Sequence, residues 1–121
     1  PYSVSQPLFD LIQNATPDGG ATISVHNQET PSENQLFLEG NGDFADWYAS
    51  WNLSLDDFTT METTSIHDLL QNLNPNNKTL FVHNTLSTPA DIQAAHDWSK
   101  HCYWATCPNA NLYIENNLPN Y

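Results

Sequence analysis

Ala21-Thr22-Ile23-Ser24-Val25-His26 and Thr79-Leu80-Phe81-Val82-His83 decide the fold of this chain. Both runs are short, rich in β-branched or aromatic residues, and closed by a histidine, as strands leaving a sheet at its carboxyl end would be. In the first, Ile23 and Val25 share one face, while Thr22, Ser24 and His26 share the other. The same alternation in the second sends Leu80 and Val82 towards a helical layer and Thr79, Phe81 and His83 away from it. A third run, 102–106, ends near Cys107-Pro108.

The intervening segments read as helices. Ser5 caps the first, Pro7 suits its opening turn, Leu8, Leu11 and Ile12 share a face, and Asp18-Gly19-Gly20 stops it. Ser32 is expected to cap 33–39, which Gly40 ends. Asp43 is expected to cap 44–51, packed through Phe44, Trp47, Tyr48 and Trp51. Thr64 or Ser65 starts a helix through Leu73. Thr88, followed by Pro89, starts one that runs to about Lys100. Beyond the third strand only an Asn/Pro-rich tail is expected, without a helix. The alternation predicts an α/β chain with a parallel sheet and helical crossovers. Three parallel strands leave two open edges, so the expectation is an interior section of a larger fold rather than a whole domain. A chain that opens on Pro1, with no signal peptide behind it, suits that expectation.

Fourteen acidic residues face only Lys78 and Lys100 among 121 residues, a formal charge of −12. Such a charge repels phosphate backbones and anionic lipid, so neither nucleic acid nor a membrane is an expected partner. Cys102 and Cys107 on one strand would sit roughly 16 Å apart, too far for a disulfide. Free thiols point to a reducing compartment, hence the cytoplasm.

In a β/α barrel the polar parity of each strand faces the barrel interior, and active sites lie at the carboxyl ends of the strands. His26 and His83 both occupy such ends. Glu29 follows His26 by three residues, in the loop leaving the strand, where its carboxylate can fold back over the same mouth. Imidazole offers a neutral nitrogen to a metal, and an adjacent carboxylate can carry protons. The other histidines read more plainly: His67 as exposed in mid-helix, His96 and His101 as neighbours of a helix C-terminus. Cys107 reads as a small buried hydrophobe. The segment between Asn27 and Asn77 is long enough to contribute to a lid.

Four stretches resemble, in order, motifs of the amidohydrolase superfamily: Pro1-Tyr2-Ser3, Val25-His26-Asn27-Gln28-Glu29-Thr30, Val82-His83-Asn84 and Cys107-Pro108-Asn109-Ala110-Asn111-Leu112. The likeness is to the chlorohydrolase and adenosine- or guanine-type deaminase branch. It implies a section, about strands five to seven, of a TIM-like (β/α)8 barrel. By that resemblance His26 is a metal ligand, Glu29 the proton shuttle, and His83 a catalytic histidine beside the water or the metal. Tyr2, Ser3, Asn109 and Asn111 would line the substrate side. The implied cofactor is a divalent metal, zinc by preference, and the implied substrate a small heterocycle losing an amino or chloro group. An aminofutalosine-type nucleoside, or a guanidino or imino compound, would suit the same scaffold. The superfamily's first-strand His-x-His and eighth-strand Asp are absent, and a barrel needs at least about 200 residues. The chain alone is therefore expected to be inactive, to bind zinc poorly, and to self-associate or require the rest of a barrel. A self-contained acidic α/β binding module is the alternative. It predicts that His26, Glu29 and His83 do not converge, whereas the hydrolase reading wants them within about 8 Å of one another.

Overall fold

The computed structural model describes residues 1–17 and 19–120. Along the chain come α1 (Gln6–Ala15), β1 (Thr22–Asn27), α2 (Pro31–Glu39), α3 (Asp43–Ser50), α4 (Ser65–Asn72), β2 (Lys78–His83), α5 (Pro89–Trp98), β3 (Cys102–Ala105) and α6 (Pro108–Glu115). The strands form one parallel sheet in sequence order, β1-β2-β3, as the alternation predicts. Among the described residues no helix is long and apolar enough to cross a membrane.

Proline sets several helix starts, because its fixed φ suits the first turn and its missing N–H costs nothing there. Pro31 makes Thr30, not Ser32, the cap of α2; the Thr30 hydroxyl accepts the Glu33 N–H at 3.3 Å. Thr88 and Asp91 form a reciprocal capping box on α5. Gly42, at φ 92°, takes the cap position of α3, and Asp43 lies in the first turn, where its charge suits the helix dipole. Asp18, expected to help end α1, lies outside the described residues. The tail also departs from expectation, because α6 is a helix. Its only buried residue is Asn111, so no apolar periodicity announces it.

The core lies on one face of the sheet, where Phe81 packs among Phe9 from α1, Ile66 and Leu69 from α4, Leu73 at the C-cap of α4, and Ala95 from α5. Ile23, Val25 and Trp104 flank it. The expected parity of β2 is thus reversed. Phe81 stands in register with Val25 and Trp104, and residues in register across a parallel sheet point to the same side. Both parities of β2 carry apolar residues, Leu80 and Val82 on one and Phe81 on the other, so alternation could not choose between them. The largest side chain goes to the helical layer because only there can it be fully covered; burying a Phe is worth about 1.5–3 kcal/mol. The opposite face carries exposed Thr22, Ser24, His26 and Tyr103, with Leu80, Val82 and Ala105 partly covered.

Helix α3 is also looser than expected. It has no buried residue, and Trp47 and Trp51 are 48% and 65% exposed. Phe44 and Tyr48 hold it to the N-terminal segment instead: Tyr2 stacks on Phe44 at 4.5 Å, and the Tyr48 hydroxyl donates to the Tyr2 carbonyl at 2.8 Å.

Candidate functional site

The carboxyl edge of the sheet carries unusual backbone. Gln28 (φ 47°), His83 (φ 74°) and Asn84 (φ 54°) all adopt the left-handed region. For residues with a Cβ this costs about 1–3 kcal/mol each, and such strain collects at functional sites. Strand alternation stops at His83 for this reason. By register His83 lies opposite Asn27, and His26 opposite Val82, so the two histidines begin on opposite parities. The left-handed turn lifts the His83 ring over the strand end, and it meets the His26 ring edge-on at 4.8 Å.

Glu29 closes the group. Its Oε1 lies 3.4 Å from His83 Nε2, and one ligand atom from each of His26, Glu29 and His83 lies within 4.8 Å of the others. That is inside the spacing the hydrolase reading requires and contrary to the module's expectation. Two ligands about 2.1 Å from one tetrahedral ion are roughly 3.4 Å apart. Two imidazoles and a carboxylate are a donor set that zinc and similar divalent metals accept, so the residues present fit such an ion. His26 is exposed and His83 only 6% exposed, so the group has one face to solvent and one anchored in protein.

The anchoring groups escaped the sequence reading. Glu33, 1% exposed, folds back from the first turn of α2 under the loop that carries Glu29. Its Oε1 accepts from the Gln28 N–H at 2.8 Å and the Ser65 hydroxyl at 2.6 Å, and its Oε2 from the Glu29 N–H at 3.2 Å. The pattern Thr30-x-x-Glu33 signals a capping box, but here the carboxylate reaches past the cap to the loop before it. Val-His-Asn closes both β1 and β2, and the two asparagines cross-link the strand ends. Asn27 Nδ2 donates to Asn84 Oδ1 at 3.0 Å, and the Asn84 N–H donates to the Asn27 carbonyl at 3.0 Å. Asn84 Nδ2 donates to the Phe81 carbonyl at 2.9 Å. The repeated tripeptide was the available signal.

The substrate-side residues separate. Tyr2 is near the group: burial raises its phenol pKa, and the Glu33 and Glu29 carboxylates push it the same way. Ser3 and Asn109 are exposed. Asn111 is fully buried and, instead of facing a substrate, lies against His83. His67 is not free in mid-helix; its Nε2 pairs with Asp91 at 3.4 Å. His96 accepts from the Trp104 indole at 3.3 Å. Cys102 and Cys107 are free thiols, and neither joins the His26 group. A separate cleft of about 850 Å³ runs between the N-terminal segment and Phe37, Tyr48, Phe58 and Met61. It includes Tyr2 but none of His26, Glu29 and His83.

The sequence matches no protein-family model and no curated protein. Among solved structures it resembles the crystal structure of Helicobacter pylori aminofutalosine deaminase, with a TM-score of 0.73 and 19% identity. The likeness is one of fold. It covers 95% of this chain and 27% of the deaminase chain, so the chain spans about a quarter of that enzyme.

Proposed function

We propose that the chain is a section, about strands five to seven, of a metal-dependent hydrolase built on a β/α barrel. The reaction is removal of an amino or chloro group from a heterocyclic substrate. The observation that carries this reading is the convergence of His26, Glu29 and His83 at the carboxyl edge of a parallel sheet. The fold shared with a segment of a deaminase supports it. It also makes an aminofutalosine-type nucleoside a natural first substrate to try.

In this reading His26 and His83 hold a divalent metal, zinc by preference. When bound, such an ion supplies Lewis acidity and makes water a usable nucleophile near neutral pH. Glu29 takes a proton from the attacking water and returns it to the leaving nitrogen. Its carboxylate is suited to this because its own backbone is tethered by Glu33. Tyr2 closes one side of the mouth, and exposed Ser3 and Asn109 are left for substrate contacts. The two free thiols support a cytoplasmic setting.

The test uses the whole protein that contains this section. Glu29→Gln should leave its metal content intact and lower deamination of heterocyclic amines by roughly 10²–10⁴-fold, the usual worth of a positioned acid/base group. Near-normal turnover would remove Glu29 from this role.

A further inference from the structure

Asn111, which the motif resemblance set on the substrate side, is turned to a different task. It is the single buried residue of α6, and its amide is turned wholly onto His83. Asn111 Oδ1 lies 2.9 Å from His83 Nδ1, and Asn111 Nδ2 lies 3.5 Å from the His83 carbonyl oxygen. The second contact fixes the orientation of the first. Turning the amide over would set its oxygen against the carbonyl oxygen, two acceptors facing each other. With Oδ1 towards the ring, Nδ1 must carry the hydrogen and donate it.

In the neutral imidazole this leaves Nε2 bare, with its lone pair towards Glu29 Oε1 at 3.4 Å. A bare nitrogen and a carboxylate oxygen repel, and either a proton on Nε2, giving the imidazolium, or a cation between them relieves that repulsion. We infer that Asn111 is a positioning residue that locks His83 in its Nδ1–H form, keeping Nε2 free for the divalent cation that His26 and His83 would hold beside Glu29. The other tautomer would place a hydrogen on Nε2 and close that nitrogen to any metal. Helix α6 thereby acquires a function: it carries the amide that selects the ligand nitrogen. The role is not a substrate contact, because Asn111 has no exposed surface. The cation half of the inference rests on the hydrolase reading; the tautomer half does not.

The two halves are tested together in the 121-residue chain. Nitrogen-15 imidazole spectra at alkaline pH, assigned with His83→Gln, should show Nδ1 protonated and Nε2 bare. Asn111→Asp keeps an acceptor and should preserve that pattern. Asn111→Leu removes it and should move His83 towards the Nε2–H form. Titration with Co²⁺ alone should find the Leu variant weaker by about 10–100-fold, the usual cost of losing a partner behind a metal-bound imidazole, and the Asp variant close to the parent. A parent chain that shows Nε2–H overturns the inference, and so does a folded Leu variant with unchanged tautomer and Co²⁺ affinity. Should the Leu variant fail to fold, the parent spectrum and the Asp variant still decide. Binding is expected to be weak, because this section lacks the superfamily's His-x-His and Asp; if the tautomer responds as expected while no variant binds Co²⁺, the positioning role stands and the claim that His83 Nε2 takes a cation in this section falls.

Discussion

Replacing Glu33 by glutamine keeps the shape of the side chain and removes its charge. Glu33 accepts three hydrogen bonds, from the Gln28 N–H, the Glu29 N–H and the Ser65 hydroxyl, at 1% exposure. A hydrogen bond to a charged group contributes about 1.5–3 kcal/mol, against about 1 for a neutral one. In Glu33→Gln the amide oxygen can keep the Gln28 and Ser65 bonds at neutral strength. The amide nitrogen then faces the Glu29 N–H, donor against donor, and that bond is lost inside the protein. Weakening two bonds by about 0.5–2 kcal/mol each and losing a third worth about 1.5–3 kcal/mol sums to about 2.5–7 kcal/mol. With an m-value of about 1–3 kcal/mol/M for a small domain, the urea midpoint should fall by at least roughly 0.8 M. Ser65→Ala, which removes one donor, should cost only about 1–2 kcal/mol. Unfolding followed by tryptophan fluorescence and circular dichroism, at one fixed protein concentration, measures both. A Glu33→Gln midpoint within about 0.3 M of the parent, at unchanged m, would mean that Glu33 does not hold the Glu29 loop.

Asp91 should dominate the acid limb of stability. Burial raises its carboxyl pKa, but the bonds from the Thr64 hydroxyl and from the Thr88 N–H and hydroxyl outweigh it, and the net shift is downward. A folded pKa below the unfolded value of about 3.9 gives stability that is present above that pH and lost as pH falls through the folded value. Asp91→Asn should flatten that loss in urea melts taken from about pH 6 to about pH 3 and lower stability at neutral pH by about 1–2 kcal/mol; an unchanged slope would exclude Asp91 as its source. Among the described residues the sheet has open edges at β1 and β3 and a face on which Thr22, Ser24 and Tyr103 are exposed and Leu80 and Val82 only partly covered. Light scattering should therefore find self-association, whereas a monodisperse 13.6 kDa monomer that unfolds cooperatively would favour a self-sufficient module.

Alternation and punctuation were enough to place β1, β2 and β3 in a parallel sheet, because each strand is bounded by turn residues and separated from the next by helix-length segments. They also put His26 and His83 at strand ends and Glu29 in the loop between, since chain order alone determines which residues leave a strand together. Three features needed the tertiary structure. The facing of β2 was decided by volume: Phe81 is the side chain that the α1, α4 and α5 layer can cover completely, and a strand with apolar residues on both parities, Leu80 and Val82 against Phe81, does not announce its buried side. The meeting of His26 and His83 was decided by left-handed backbone at His83 and Asn84, a conformation stabilised by Asn27 and Asn84 bonding across the strand ends. The role of Asn111 was decided by α6, whose one buried residue is polar and so leaves no hydrophobic trace in the sequence. Periodicity records which residues water rejects; it does not record which polar atoms find one another once water has left.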